Sequence, residues 1–422
     1  MPQYSSAKPS ASVKFSTIRV ENPKIGQETL ILPYGFPSDS LGTTFGIGGM
    51  TKGYFQEQLL LAGTLFGSTE STFGGVLGMW DLALFPATDR LYLSAIGSMG
   101  RYPNQRAYAD PPGVRSGVKA GSNDSDKDDY IEDGGTDNWW EMKLEYVLPI
   151  GAMSNSGSAT YKLKNGMLVS GATGGESWNP LASGATVLVV RQFNRYQNYE
   201  TDDGDITGTI HPLELGILYN NTDYSSNPSS GSSQYFSVTR DFAWLDSEDT
   251  WTFLQFEASK YFSFGSSDYA RQRVVALNFW TGDAVSEESS VDAAGNETVS
   301  HSPPFLEGSK LGGFYRMRAY PNNRFNDKSV IYTTAEYRYT PNWNPIGEIN
   351  WLRWLKMDWM QLVGFVEGGR VADDYDLSDL LSDWKGDVGF GFRAMMAGGV
   401  VRFDFAVSDE SSAGWVMFGH PF

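Results

Sequence analysis

Residues 387–408 read Asp-Val-Gly-Phe-Gly-Phe-Arg-Ala-Met-Met-Ala-Gly-Gly-Val-Val-Arg-Phe-Asp-Phe-Ala-Val-Ser. Successive side chains of a β-strand point to opposite faces, so this stretch can be sorted by parity. In its first half Asp387, Gly389, Gly391 and Arg393 share one face, and Val388, Phe390, Phe392 and Ala394 share the other. In its second half Val401, Phe403, Phe405 and Val407 oppose Arg402, Asp404, Ala406 and Ser408. Ala397-Gly398-Gly399 between them has the composition of a tight hairpin turn. Each strand therefore carries one apolar and one polar face.

The same pattern recurs upstream, where Trp140, Met142, Leu144, Tyr146 and Leu148 alternate with Glu141, Lys143 and Glu145. Large apolar groups on one face and charges on the other suit lipid outside and water inside a closed sheet. A soluble sandwich would need a second apolar set to pack against these faces, and none is evident. Read along the whole chain, the alternation predicts an all-β transmembrane antiparallel barrel of about sixteen strands. They fall near 28–38, 41–53, 56–68, 71–85, 89–103, 137–149, 184–199, 208–222, 233–245, 250–263, 270–283, 329–340, 357–371, 384–396, 399–408 and 414–422.

An even strand number puts both chain ends on one side, which is periplasmic in bacterial barrels. Residues 1–27 are then a short periplasmic segment and 28–422 the barrel. Phe85-Pro86-Ala87-Thr88-Asp89, Asn227-Pro228-Ser229-Ser230-Gly231 and Ala397-Gly398-Gly399 are expected as periplasmic turns. Residues 104–136 and 284–328 are expected as long external loops. The connection 150–183 is long for the periplasmic side and is expected to fold beneath or into the lumen. Of the tryptophans near strand ends (Trp139, Trp140, Trp244, Trp251, Trp280, Trp354, Trp359 and Trp384), about half belong in interfacial girdles.

Composition narrows the function classes. The 422 residues include 47 Gly, 13 Trp, 22 Tyr, 25 Phe and no Cys, with a formal net charge of -18. Absent cysteine fits export through an oxidising compartment. Scattered Lys and Arg on an acidic chain argue against nucleic acid, which needs clustered basic residues. No run approaches the roughly 18 to 20 apolar residues of a membrane helix. The start MPQYSSAKPS has neither the charged nor the apolar region of a signal peptide, so a leader is expected to have been removed. His211, His301 and His420 lie far apart, and GxSxG, HExxH and phosphate-loop motifs are absent, so no enzyme and no cofactor are expected. Asp124, Asp126 and Asp128 alternate in a Gly- and Ser-flanked loop and are weak candidates for a cation. The sixth position of a calcium loop starting there is Asp129 rather than Gly, which favours a solvated acidic loop.

Two further stretches carry an identity. The chain ends Trp415-Val416-Met417-Phe418-Gly419-His420-Pro421-Phe422, and a closing strand with Phe418 and a terminal Phe422 resembles the assembly signal of outer-membrane barrels. Gly312 to Phe325 contains Met317-Arg318-Ala319-Tyr320. This resembles the inward-folded loop of the BamA/TamA family (bacterial surface antigens), whose motif reads apolar, Arg, Gly, aromatic. Ala319 stands in the glycine place. Ala335-Glu336-Tyr337-Arg338 and Phe365-Val366-Glu367-Gly368-Gly369 follow in the family's order. The resemblance implies that Arg318, on a loop between strands 11 and 12, enters the lumen and pairs with Glu336 and Glu367. A guanidinium in a confined lumen needs such acceptors in any case.

The resemblance implies a barrel of the machinery that inserts or moves polypeptides or lipids across the outer membrane, acting through a weak seam between first and last strands. Its surroundings would be outer-membrane lipid and lipopolysaccharide. Family members usually carry polypeptide-transport-associated domains before the barrel, and some 27 residues are too few for one. A periplasmic partner protein or a homo-oligomer is therefore expected to complete it. The rival reading is a passive pore or structural barrel that kept the fold and lost the transport task.

Overall fold

Sixteen antiparallel strands run once around a barrel, nearest neighbours in sequence being nearest neighbours in space. In a computed structural model, which describes residues 11–25, 27–38, 42–85, 88–110, 118–200, 206–291, 297–304 and 307–422, they can be placed one by one. Strands β1 to β6 span Glu28–Ser38, Gly42–Lys52, Leu60–Ser68, Phe73–Ala83, Leu91–Ala107 and Ile131–Val147. Strand β7 is Ala185–Glu200, and β8 runs in two pieces, Ile206–Ile210 and Leu213–Asn220. Strands β9 to β12 span Gly231–Phe242, Thr250–Ser263, Ala270–Asp283 and Ser329–Pro341. Strands β13 to β16 span Met357–Ala372, Lys385–Met396, Gly399–Val407 and Ser412–Phe418.

Parity sorts the side chains as the sequence predicts. On β6, Glu141, Lys143 and Glu145 are buried toward the lumen, whereas Trp140, Met142, Leu144 and Tyr146 are exposed on the outside. On β15, Arg402, Asp404 and Ala406 are buried, and Phe403, Phe405 and Val407 face out. A closed ring is what lets such strands cross hydrocarbon, since the ladder satisfies their backbone donors and acceptors internally. Trp140, Trp244, Trp354 and Trp384 are exposed, and Trp139, Trp251, Trp280 and Trp359 are buried, so these eight divide evenly between surface and interior.

Several expected boundaries move. Strands β5 and β6 continue to Ala107 and back from Ile131, so the connection expected over 104–136 is shorter. Those extensions, 104–107 and 131–136, are largely polar (Asn104, Gln105, Arg106, Glu132, Asp133) and have lost the apolar alternation that marks a strand in lipid, although the ladder continues. The third strand starts at Leu60 rather than residue 56. Strand β8 breaks at His211-Pro212, because proline has no N–H to give to the ladder. The last strand does not reach Phe422: it ends at Phe418, and Gly419 at φ +76° turns the chain away. Pro86 and Ala87 of one expected turn, and residues 1–10 of the expected N-terminal segment, lie outside the described residues.

Every neighbouring pair from β1 round to β16 shares a residue-by-residue antiparallel register. The junction of β16 with β1 closes the ring without such a register among the described residues, leaving one unsealed seam. There Leu30 of β1 packs with Ala394, Met396, Ala397 and Val401 of the β14–β15 hairpin.

Both ends of the lumen are filled. At the end carrying the chain termini, residues 159–164 and 167–170 of the long β6–β7 connection join 15–19 and 22–25 of the N-terminal segment in a four-stranded sheet. Phe15–Arg19 runs parallel to Ala159–Leu163. This internal sheet packs Val13, Ala159, Tyr161 and Leu163 against lumen-facing Tyr92, Val187, Val189, Tyr235 and Trp359. Lys14 Nζ lies 2.7 Å from both Asp81 and Glu145 of the wall. Arg19 bridges Glu28 at 2.9 Å and Asp358 at 2.5 Å, and Trp359 Nε1 donates to the Gly166 carbonyl at 3.1 Å. The loop end is filled by the β11–β12 connection.

Candidate functional site

The β11–β12 connection folds inward as a hairpin. Its stem pairs Ser309–Leu311 with Phe325–Asp327. Gly312 and Gly313 then reverse the chain at φ +108° and +110°, a region in which a side chain is strained. A Cβ on Gly312 would also stand 2.1 Å from the Pro321 carbonyl oxygen. The Gly313 N–H donates to the Tyr320 carbonyl at 3.1 Å and the Tyr320 N–H to the Met317 carbonyl at 3.0 Å. Arg318 and Ala319 are left at the tip of a tight turn, pointing at the wall.

Arg318 is fully buried and reaches three carboxylates on three strands. Its Nη2 lies 3.1 Å from Glu336 on β12, its Nε 3.2 Å from Glu367 on β13 and its Nη1 2.8 Å from Asp404 on β15. The guanidinium also stacks on Phe365, 3.5 Å from the ring centre. The tip backbone is gripped as well. The Arg318 N–H donates to Glu367 at 2.7 Å and the Ala319 N–H to Asp387 of β14 at 3.0 Å. Trp415 of β16 donates to the Arg318 carbonyl at 2.8 Å, and Ser411 to the Ala319 carbonyl at 2.8 Å. Five consecutive strands thus hold two residues.

The carboxylates are themselves held. Glu336 also takes Arg338 and Arg393, at 2.8 and 2.7 Å, and Asp404 takes Arg402 at 2.6 Å. Tyr332 donates to Glu367 at 2.5 Å. Further out, Arg316 bonds Glu257 at 3.0 Å while lying over Trp280, and Arg324 bonds Glu410 at 2.8 Å. Buried ions persist only when paired. The set therefore locks a loop in place by charge pairing, although Arg318 Nε and Nη2 and Asp404 Oδ1 are buried without a hydrogen-bond partner of good geometry.

Glu336 and Glu367 both lie within 3.2 Å of the Arg318 guanidinium, and Glu367 reaches the backbone of Arg318 as well. The sequence reading did not join Asp404, Asp387, Tyr332 or Trp415 to the loop. Asp387 and Asp404 were visible as inward-facing acids, but only register shows which lumen acid meets which base. Ala319 keeps a negative φ, and the left-handed residue of this turn is Met317 at φ +55°. The backbone thus makes no demand for glycine at 319. Ala319→Gly is expected to shift unfolding by no more than about 1 kcal/mol, in the destabilising direction, because it adds only unfolded-chain freedom. A urea titration of the folded barrel checks this.

Other candidate residues separate. Phe418 ends β16 on the outer face, but Phe422 turns inward to stack on Tyr261 at 6.3 Å beneath Arg338. His420 Nδ1 lies 2.7 Å from Arg393. Asp124, Asp126 and Asp128 do not converge: Asp126 accepts from the Asp128 N–H at 3.0 Å, and Asp128 pairs with Lys127 at 2.7 Å. Among the described residues no three His, Asp or Glu side chains are placed to hold a metal.

Comparison with known proteins agrees with this architecture. The Omp85 superfamily domain matches residues 107–414. No curated protein matches the chain. Similar solved structures include CdiB from Escherichia coli, at 10% identity and a TM-score of 0.53 over 93% of this chain and 60% of that one. CdiB from Acinetobacter baumannii is 11% identical with a TM-score of 0.50, over 93% and 59%. BamA from Haemophilus ducreyi lacking POTRA domains 1-3 is 12% identical with a TM-score of 0.47, over 94% and 70%. The chain spans about three fifths of the length of the CdiB structures. With a sixteen-stranded barrel, an arginine-tipped inward loop and a family domain across most of its length, the chain belongs to the Omp85 superfamily of outer-membrane β-barrels.

Proposed function

We propose that this barrel works in the insertion or translocation of polypeptides at the outer membrane, through the seam between β1 and β16, together with a partner subunit or a second copy of itself. Both termini, and hence the internal sheet, lie on the periplasmic side in this reading, and the loop end faces outward. The observation that carries it is the missing register at one junction of an otherwise continuous ring. The junction without a residue-by-residue ladder is the one most easily parted, and a parted edge in lipid is a template for another strand. The loop supports the same reading, because Trp415 of β16 is bonded to its Arg318 tip, which couples the seam strand to the lumen. Filling of both lumen ends weighs against a passive open pore.

Cysteine pairs between Ile31 or Pro33 on β1 and Gly414 or Val416 on β16 test this, in a chain with no cysteine of its own. Disulfide-locked barrels are expected to fail to restore outer-membrane integrity to a deletion strain, with recovery on reduction. If locked barrels restore it as well as reduced ones, the seam does not open in function.

A further inference from the structure

The internal sheet has two edges, 22–25 and 167–170. Strand 22–25 leads within two residues into β1, the seam strand. Among the described residues no strand pairs with the other edge. Met167, Leu168 and Val169 are consecutive, so their side chains alternate between the faces of the sheet, yet all three line one cavity of about 400 Å³. What borders the cavity is therefore the strand's edge rather than a face. The far wall comes from the β8–β9 turn (Asp223, Asn227, Ser229) and the β10–β11 turn (Ser263, Ser266).

We propose that this edge receives an extended segment of polypeptide, which adds as a fifth strand of the internal sheet. The inference rests on the translocation reading and names its substrate class: unfolded chain, taken up by its backbone. An edge strand offers N–H and C=O groups repeating along its length, and only another extended backbone matches that repeat. Opposite the edge the Asn227 Oδ1 has no hydrogen-bond partner, an acceptor that can take a backbone N–H and reads no particular side chain. Charge selects further. Asp223 is already satisfied by the N–H groups of Tyr224, Ser229 and Ser230 and the Ser229 hydroxyl. Arg271 is satisfied by the carbonyls of Asp358 and Asn342. Lys164 and Arg271 against the single carboxylate of Asp223 leave the lining net positive, so the field in the cavity favours a neutral or acidic segment. The edge is four residues long and bulged near Val169, which suits a short and transient addition. A segment docked here sits on a sheet continuous with the entry to β1.

The test uses the whole barrel in detergent, with an acidic alternating Val-Thr decapeptide bearing one cysteine as probe. Val169→Cys and Ser170→Cys place single thiols on the edge, and Phe85→Cys places one on an exposed turn that does not line the cavity. Disulfide yield at the edge is expected to exceed the Phe85→Cys yield by about ten-fold, the loss of roughly one to two backbone hydrogen bonds' worth of binding being what separates them. The same peptide N-methylated along its backbone is expected to lose that excess. Equal yields at edge and turn, or full yield from the N-methylated peptide, overturn strand addition. Detergent removes any need for the seam to open. A failed crosslink with an effective seam lock therefore refutes this site alone, and the converse refutes the seam alone.

Discussion

Arg318→Ala is expected to unseat the inward loop, to destabilise the barrel by about 3 to 5 kcal/mol and to turn a quiet barrel into one with fluctuating current. The magnitude is that of breaking a buried ion cluster by removing one partner, where most of the loss comes from charges left uncompensated. Here three carboxylates, Glu336, Glu367 and Asp404, lose a shared cation in a site with almost no solvent. Arg393, Arg338 and Arg402 still hold Glu336 and Asp404, so the damage concentrates at Glu367, whose remaining partners are the tip backbone and the Tyr332 hydroxyl. Arg318→Ala combined with Glu367→Gln is accordingly expected to recover part of the lost stability, a coupling that a double-mutant cycle measures. Arg318→Lys is expected to resemble Arg318→Ala more than the native chain. An ammonium is a single point and cannot face three carboxylates arranged around a planar fork. Urea midpoints in detergent read the stability, and planar-bilayer recordings read the loop. Unchanged midpoint and unchanged current in Arg318→Ala would remove the loop from any role in closing the lumen.

The wall of this barrel was legible in the sequence because water and lipid impose opposite demands on alternate residues, as in 387–394 and 401–408. That legibility fades where the strands leave lipid. Residues 104–107 and 131–136 continue the ladder with mostly polar groups, and only tertiary pairing reveals them. The site was legible to the extent that its spacing is local: Met317 to Tyr320 form one turn, and Glu336 and Glu367 face inward on the next two strands. Asp404 and Trp415 come from strands some 86 and 97 residues further along, where any inward acid or ring was an equal candidate until register fixed their heights. The internal sheet was half legible. Ala159, Tyr161 and Leu163 alternate with Thr160, Lys162 and Lys164, a clear strand signal inside the long connection. Its parallel partner, Phe15–Arg19, lies about 144 residues away, a pairing no local pattern announces.

Tyr161→Ala is the complementary experiment, because it dissolves the obstruction at the other end of the lumen while leaving the wall's hydrogen bonds intact. Tyr161 has no exposed surface, its ring lies 4.8 Å from Tyr224 and 5.3 Å from Phe15, and its hydroxyl is 2.9 Å from that of Thr173. Truncating a large buried aromatic ring costs about 3 to 5 kcal/mol. A four-stranded sheet of short strands, joined to the wall by apolar packing around Ala159, Tyr161 and Leu163 and by the contacts of Lys14, Arg19 and Trp359, loses a central part of that packing. Hydrogen exchange is expected to show amides of 15–19 and 159–164 losing protection while β9 to β13 keep theirs, since the sheet and the wall share no ladder. Loop and sheet stand in series along one lumen, so removing the sheet leaves the loop as the remaining resistance. Tyr161→Ala alone is expected to raise conductance modestly, and the double variant with Arg318→Ala to exceed either single one. Full conductance from Tyr161→Ala alone would mean that the loop does not obstruct the lumen. Loss of protection in β9 to β13 would mean that the sheet is part of the barrel's own core rather than a separable stopper.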